Sequence, residues 1–378
     1  MYIPQIQLSN LKGIIKPQKV IVIYGPRRCG KTTLLTHFLK DVKDKYLFVS
    51  GEDIIVQDFL SSQSIEKLRS FVGSNKLLVI DEAQKINYIG LNLKLIIDHM
   101  PGIKVIATGS SSFGLAHEIG EPLTGRKFTL KMFPLSQLEL SNIETRAETI
   151  ARLEERLIYG SYPEVVTADD ISQKVLYLKE MISSYLYKDI LELEGIRHSS
   201  KIVRLLQLLT FQIGKEVSYT ELGRQLGMSK NTIEKYLDLL EKAFVIFKLR
   251  GFSRSIRKEI SKNPRYYFYD TGIRNALINN FNILSMRDDI GMLWENYIIV
   301  ERLKAQEYLH MQVNNHFWRT YDRKEIDFIE EKDGMLHGYE ITWSNAKRNA
   351  PKEWLDKYKA DYKVITKENY LDFIVLNV

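Results

Sequence analysis

The first 110 residues alternate between short apolar runs and stretches with the periodicity of helices. Val20–Tyr24, Leu77–Ile80 and Ile103–Ala107 are mostly apolar, and a further apolar run lies near residue 47. Runs of this length are typical of strands buried on both faces of a sheet. Because helical stretches separate the runs, the pattern predicts an α/β fold with a doubly wound parallel sheet. Ligands bind such sheets at the carboxyl ends of the strands.

A different order of elements is predicted in the middle of the chain. Apolar residues at helical spacing predict helices over 198–213, 219–226 and 230–242, with short strands at 215–218 and 245–249. Ser229 stands where an N-cap residue is preferred, before the third of these helices. A helix–turn–helix that continues into a strand pair predicts a winged helix.

The last third of the chain contains stretches with the apolar spacing of helices and others with that of strands. The pattern predicts a long helix over 291–306 and neighbouring strands over 325–329 and 339–343. A third part with α/β character is therefore expected.

Composition narrows the class of protein. Hydrophobic residues make up 44% and charged residues 27% of the 378, as in soluble globular proteins. No apolar run approaches the ~20 residues that span a bilayer, and the first residues lack the pattern of a secretory signal. Cys29 is the single cysteine, so no disulfide can form within the chain. These features predict a cytoplasmic protein.

The net charge of +7 is unevenly distributed. Between Arg197 and Arg265 there are fifteen Lys and Arg against six Asp and Glu, a local balance of 15 − 6 = +9. A concentrated basic segment favours a polyanionic partner, nucleic acid first. A solvated basic surface without a partner is the alternative interpretation.

The run that ends at Tyr24 is followed by a glycine-rich loop, Gly25-Pro26-Arg27-Arg28-Cys29-Gly30-Lys31-Thr32, and then by a helical stretch that starts near Thr33. This strand–loop–helix order satisfies the G-x-x-x-x-G-K-[ST] motif in its required context. Backbone N–H groups of such a loop surround phosphates, aided by the helix N-terminus. Lys31 is expected to reach the β- and γ-phosphates, and the Thr32 hydroxyl to ligate Mg²⁺.

Polar side chains also end the next two predicted strands. Asp81 and Glu82 follow Leu77–Ile80, which predicts that Asp81 holds Mg²⁺ and that Glu82 acts as general base toward the attacking water. Thr108 and Ser110 end the strand near 105 and are the candidates for orienting that water.

Further pieces extend the pattern: V-I-D-E-A-Q, T-G-S-S, L-x-G-R and P-L-S-x-x-E, then Tyr159–Glu164 and Tyr187–Ile190. With the loop, they resemble AAA-type ATPases of bacteria and archaea that carry a winged helix and a C-terminal restriction-endonuclease-like domain. The resemblance implies ATP as the nucleotide and Arg126 as an arginine finger or phosphate sensor. Whether Arg126 serves its own site or that of a neighbour in a homo-oligomer stays open.

The resemblance divides the chain into four parts. It implies an ATPase core over 1–135, a helical lid or linker over 136–195, a winged helix over 196–255 and an endonuclease-like domain over 256–378.

The predicted third helix of the winged helix carries Lys230, Asn231 and Lys235 on its exposed face. With Arg250 and Arg254, these side chains could contact phosphates and base edges of DNA. Glu234 and Asp238 share the helix and would repel DNA, so a protein-binding or spacer module is the alternative.

The C-terminal part resembles a nuclease pattern of helix acid, strand Asp and E-x-K. Glu295, Asp327 and Glu340 are the candidate Mg²⁺ ligands. Thr342 stands where that pattern has its lysine, and Lys347 is the nearest replacement in sequence. Metal binding without hydrolysis is one interpretation, and a remnant without chemistry is another.

The sequence as a whole predicts a Mg²⁺-dependent ATPase that couples hydrolysis to conformational change on DNA. An ATP-regulated nuclease and a nucleotide-gated DNA- or protein-binding regulator are the alternatives.

Overall fold

A computed structural model describes residues 2–110, 123–186, 199–253, 263–320, 322, 324–344 and 348–375. The chain forms two compact units. Residues 2–134, together with 242–244, form the N-terminal unit. Residues 135–241 and 245–378 form the C-terminal unit. The predicted limits at 195/196 and 255/256 both fall inside the second unit.

The N-terminal unit contains a sheet with helices around it. Its strands are β1 Val20–Tyr24, β2 Tyr46–Ser50, β3 Leu77–Asp81, β4 Lys104–Gly109 and β5 Lys127–Lys131. Its described helices are α1 Ile6–Ile14, α2 Lys31–Lys40, α3 Ile54–Leu60, α4 Ile65–Val72 and α5 Ile89–His99.

All neighbouring strands of this sheet pair in parallel, in the order β2-β3-β4-β1-β5. The predicted α/β fold with a parallel sheet is therefore confirmed. Every residue of β1 and β3 is buried, as expected for strands covered on both faces. The sequence pattern did not predict β5, because its lysines and threonine interrupt the apolar signal at a sheet edge.

The strand order decides which side chains meet. Since β4 lies between β1 and β3, its C-terminal residues stand between the loop after β1 and the acids after β3. The core beneath this edge is aliphatic, and Ile21, Leu34, Val79 and Ile106 are fully buried in it. Burial of this kind contributes roughly 25 cal/mol per Å² of apolar surface, which holds the three strand ends in place.

The C-terminal unit combines many short helices with a second sheet. Its strands are β6 Ile246–Gly251, β7 Arg265–Phe268, β8 Asn314–Arg319, β9 Glu325–Lys332, β10 Met335–Ile341 and β11 Asp361–Ile365. Its first described helices are α6 Gln137–Leu140, α7 Arg146–Ala151, α8 Leu153–Tyr159, α9 Pro163–Thr167 and α10 Ile171–Glu180, followed by a π-helical turn Met181–Leu186. The later ones are α11 Ser199–Thr210, α12 Tyr219–Leu226, α13 Lys230–Lys242, α14 Thr271–Leu277, α15 Ile290–Tyr308, α16 Lys352–Tyr358 and α17 Tyr370–Ile374.

The second sheet is mixed, with the order β11-β10-β9-β8-β6-β7. Strand β6 pairs antiparallel with β7 and parallel with β8. An isolated bridge also joins Glu216 to Arg265 at the start of β7. The strand that the sequence assigned to a wing is thus shared with the sheet that carries Asp327 and Glu340.

The Tyr159–Glu164 motif packs directly on the segment around Asp270. Asp270 accepts hydrogen bonds from the N–H groups of Ser161, at 2.7 Å, and Ile273, at 3.1 Å. A Cβ atom on Gly160 would lie 2.1 Å from the Asp270 carboxylate, and one on Gly272 would lie 2.0 Å from the Tyr159 carbonyl. These two glycines are needed for close packing, so the motif has a structural explanation. The Tyr187–Ile190 motif lies outside the described residues.

Within the described ranges, no helix combines the length and the apolar character needed to cross a membrane.

Candidate nucleotide site

The glycine-rich loop connects β1 to α2 in a conformation that needs its glycines. Gly30 precedes α2 with φ +100°, a left-handed value that favours glycine. Gly25 lies so close to the backbone of Met132 that a Cβ atom would come within 2.5 Å of its carbonyl oxygen. Cys29 is fully buried in the core below the loop. The loop therefore has the shape that brings backbone N–H groups around an anion at a helix N-terminus.

Lys31 and Thr32 begin α2 and carry the polar groups of the motif. The Lys31 ammonium donates to the carbonyl oxygens of Gly25 and Pro26, both at 2.9 Å, and its side chain is buried. The Thr32 hydroxyl donates to Asp81 Oδ2 at 2.6 Å. Thr33 is exposed on the first turn of α2. The remaining loop residues, Arg27 and Arg28, are half-buried and exposed respectively.

Asp81 ends β3 and connects the loop to the neighbouring strand. Its second oxygen, Oδ1, accepts a short hydrogen bond from the Thr108 hydroxyl. The Thr108 oxygen in turn accepts the Glu82 N–H at 3.1 Å. Thr32, Asp81, Thr108 and Glu82 thus form one hydrogen-bonded group at the carboxyl edge of the sheet, where sequence reasoning placed them.

This group fits a magnesium ion. Mg²⁺ prefers hard oxygen ligands and is commonly bound through one or two carboxylates, water and substrate phosphates. The Thr32 hydroxyl and the Asp81 carboxylate already face each other at hydrogen-bond distance beside the loop. They would hold the ion, and the loop would hold the phosphates.

Two further side chains belong to this edge. Gln84 lies in a 3₁₀ turn, Ala83–Lys85, and its amide nitrogen donates to Glu82 Oε2 at 2.5 Å and to Ser110 Oγ at 3.1 Å. Ser110 was a candidate from the sequence. Sequence reasoning did not identify Gln84 as a site residue. Its position two residues after Glu82 could have indicated the contact, because one tight turn brings such residues together.

Arg126 lies at the opposite edge of the same sheet. Its carbonyl accepts the N–H of Val20, the first residue of β1, whereas the loop follows the last residue, Tyr24. At ~3.3 Å per residue, the length of β1 puts about 16 Å between the two edges. Arg126 instead pairs with Asp98, with a distance of 3.0 Å between Nε and Oδ1. Of the two roles left open by the sequence, this position favours action on the site of a neighbour.

The predicted DNA-contacting side chains are on the surface. Lys230 and Asn231 form the first turn of α13, Lys235 follows one turn later, and Arg250 lies in β6; all four are exposed. Glu234 is exposed beside them. Arg254 lies outside the described residues.

The predicted nuclease-like site contains an arginine where a metal ion was expected. Arg265 Nη1 lies 3.8 Å from Glu295 Oε1 and 3.6 Å from Asp327 Oδ1, and Nη2 donates to Glu325 at 2.8 Å. Arg265 is 2% exposed. Over the residues that the structure describes, no three His, Cys, Asp or Glu side chains are arranged to hold a metal. This arrangement favours the remnant without chemistry, and Mg²⁺ binding at Glu295, Asp327 and Glu340 stays a prediction.

Burial and neighbouring charges both act on these carboxylates. Burial, then the neighbouring Asp327 charge, raises the pKa of Glu295 to about 8 and that of Glu340 to about 7. Glu340 also forms a short ion pair with Arg348. Tyr267 donates to Glu295 at 2.7 Å. Two arginines and a phenol thus satisfy the acids, while Lys347 lies outside the described residues.

The loop, the acids after β3 and the parallel sheet place the N-terminal unit in the class of P-loop ATPase domains. Comparison with known families agrees, since residues 17–141 match the family described as an AAA domain. Residues 150–283 and 290–375 match two families that are each described as a domain of unknown function, DUF8612 and DUF4143.

Several curated proteins are similar over most of the chain. An uncharacterized protein of Methanocaldococcus jannaschii is 28% identical over 354 residues, covering 88% of this chain and 77% of its own. One of Mycobacterium tuberculosis is 26% identical over 338 residues, covering 88% and 72%. One of Haemophilus influenzae is 24% identical over 366 residues, covering 91% and 87%.

Solved structures with similarity include the Walker-type ATPase PABY2304 of Pyrococcus abyssi. It is 16% identical with a TM-score of 0.45, covering 68% of this chain and 91% of its own. A RuvB variant of Thermotoga maritima is 17% identical with a TM-score of 0.34, covering 68% and 91%.

Proposed function

We propose that this protein binds ATP together with Mg²⁺, hydrolyses it, and uses the nucleotide cycle to change its conformation on DNA. The observation that carries the proposal is the hydrogen-bonded group of Thr32, Asp81, Thr108 and Glu82 beside the glycine-rich loop. This group supplies metal ligands, a carboxylate base and a polar strand end around one point. Magnesium-dependent phosphate release from ATP tests it, with Lys31→Ala as the variant that loses phosphate contact.

In the proposed reaction each side chain has one task. Lys31 leaves the Gly25 and Pro26 carbonyls and neutralises charge on the β- and γ-phosphates. Thr32 and Asp81 would hold Mg²⁺, and the bound ion would supply positive charge to balance that of the phosphates. Glu82 accepts a proton from the attacking water. Thr108 keeps Asp81 and the Glu82 backbone in fixed relation.

We propose that Arg126 acts on the nucleotide of a second copy of the chain. The side chain is 42% exposed at the sheet edge remote from its own loop, so it is accessible to a neighbour. An arginine supplied from outside a site can stabilise transition-state charge by a factor on the order of 10³ or more.

Mixing two inactive variants tests the role of Arg126. Arg126→Ala keeps an intact loop but lacks the arginine, and Lys31→Ala lacks the loop lysine but keeps Arg126. We expect each alone to hydrolyse ATP roughly 100-fold more slowly or worse, and the mixture to regain part of the activity. Full activity of Arg126→Ala alone, or a mixture no faster than its components, would contradict action in trans.

We propose DNA as the partner of the C-terminal unit, read as a winged helix. Support comes from the order α11, bridge at Glu216, α12, α13, β6 and β7, and from exposed basic residues at the start of α13. We do not propose a nuclease, because the buried Arg265 already lies beside Glu295 and Asp327 and Thr342 replaces the lysine of the nuclease pattern.

Salt dependence of DNA binding tests the contact residues. Wild-type affinity for duplex DNA should fall linearly with log[salt], and Lys230→Ala/Lys235→Ala should reduce the slope by about 2, one for each lost phosphate contact. Lys67→Ala removes an exposed lysine on α4 and is the matched control, with the slope unchanged. Equal slopes for all three proteins would exclude this helix from the interface.

A further inference from the structure

The side chain of Glu82 is held by a single neighbour, the amide of Gln84, within the described part of the nucleotide site. The Gln84 nitrogen has two hydrogens, and the geometry uses both at once, toward Glu82 Oε2 at 2.5 Å and Ser110 Oγ at 3.1 Å. A carboxylate only accepts hydrogen bonds, so the nitrogen end of the amide must face Glu82. The orientation of the Gln84 amide therefore follows from its partners.

The backbone of Glu82 makes this restraint necessary. Glu82 has φ +51°, a left-handed value uncommon for a residue with a side chain. Its N–H is fixed by Thr108, and a Cβ atom on Gly51 would lie 2.4 Å from its carbonyl oxygen. The main chain is thus fixed, but none of these contacts reaches the carboxylate. Gln84 is what connects that carboxylate to the end of β4, through Ser110.

The carbonyl end of the Gln84 amide indicates that this side chain does not serve mainly to stabilise the fold. Its carbonyl oxygen, Oε1, is buried and has no hydrogen-bond partner in the described residues. An unsatisfied buried acceptor lowers the stability of the folded state. A residue present only for packing would avoid this cost, whereas a residue present to donate two hydrogen bonds must accept it.

We propose that Gln84 is the positioning residue of the general base. By holding Glu82 Oε2 against the end of β4, it leaves the second carboxylate oxygen, Oε1, directed to the attacking water. It also connects the position of the base to Ser110 at the end of β4. The proposal rests on the proposed hydrolysis of ATP by this site.

The experiment separates binding from chemistry in steady-state kinetics. Gln84→Ala should lower kcat roughly 10- to 100-fold with KM for ATP within about 2-fold, because a misplaced base affects the chemical step alone. Gln84→Glu has nearly the same shape and places two carboxylates together, so its kcat should fall at least as far. The second variant keeps the test valid if the first fails to fold.

The matched control is another glutamine at the same sheet edge. Gln57 donates its amide to the Gly51 carbonyl at 2.7 Å and does not hold Glu82. Gln57→Ala should therefore leave kcat within about 2-fold of wild type. A similar fall in kcat for Gln57→Ala and Gln84→Ala would indicate general loosening of the edge and would overturn the proposal.

A double-mutant cycle gives the decisive outcome. If Gln84 acts only through the carboxylate, Gln84→Ala should have little further effect on the residual single-turnover rate of Glu82→Gln. Additive losses would show that Gln84 acts elsewhere. An active wild type with unchanged kcat in Gln84→Ala overturns the positioning role alone, while an inactive wild type overturns both this role and the proposed function.

Discussion

Glu82→Gln is expected to lower ATP turnover by at least about 100-fold while ATP binding stays within about 2-fold of wild type. The amide keeps the size of the carboxylate but cannot take a proton from water, and loss of a general base typically costs 10²–10⁴-fold. The proposed Mg²⁺ ligands, Thr32 and Asp81, are untouched by the change. Steady-state phosphate release gives the rate, and equilibrium titration with a fluorescent ATP analogue gives the affinity.

Glu52→Gln is the matched control for this experiment. Glu52 follows β2 at the same carboxyl edge of the sheet and is exposed, so its neutralisation should leave the rate unchanged. Equal rates for wild type and Glu82→Gln would remove Glu82 as the base. Weak nucleotide binding by Glu82→Gln would instead assign the acid to metal or nucleotide binding.

The central part of this site could be predicted from sequence because its residues follow strands. A glycine-rich loop after one buried strand and two acids after another lie at the same edge of the sheet if both strands run parallel, and here only β4 separates them. The contacts of Thr32 with Asp81, and of Thr108 with both Asp81 and Glu82, agree with that reasoning. The short strand β5 gave no comparable signal, since alternate residues of an edge strand are exposed and polar.

Arg126 shows what sequence motifs leave undetermined. A motif gives the residue type and its place along the chain, but the edge of the sheet on which it lies depends on the start of the strand that follows. Because β5 starts directly after Arg126 and runs parallel to β1, the arginine is fixed at the amino-terminal edge. The edge on which Arg126 lies follows only from the register of β5 against β1.

The C-terminal acids show a different limit, because a positive side chain beside them comes from a distant part of the sequence. The resemblance to a nuclease pattern predicted Mg²⁺ at Glu295, Asp327 and Glu340, and the three are close enough for Asp327 to affect the pKa of the other two. A positive side chain beside Glu295 and Asp327 in the structure is Arg265, which lies in β7, 30 residues before the first of these acids. No local pattern around the acids indicates it.

Arg265→Met is expected to destabilise the C-terminal unit by about 3–5 kcal/mol, the usual cost of leaving buried charges without their partner. Methionine preserves much of the side-chain volume, so the loss reports the charge contacts with Glu295, Glu325 and Asp327 more than packing. All four tryptophans lie in this unit, at positions 294, 318, 343 and 354, so tryptophan fluorescence in urea follows its unfolding selectively.

The matched control is Arg146→Met, which removes an arginine of the same unit from an ion pair with Asp372 in which both side chains are more than half exposed. Exposed pairs contribute little, so its urea midpoint should stay near that of wild type. Mg²⁺ without nucleotide should leave the wild-type midpoint unchanged, because Arg265 already supplies the positive charge. A midpoint that rises with Mg²⁺, and no longer does so in Asp327→Asn, would mean that these acids bind a metal ion beside the arginine.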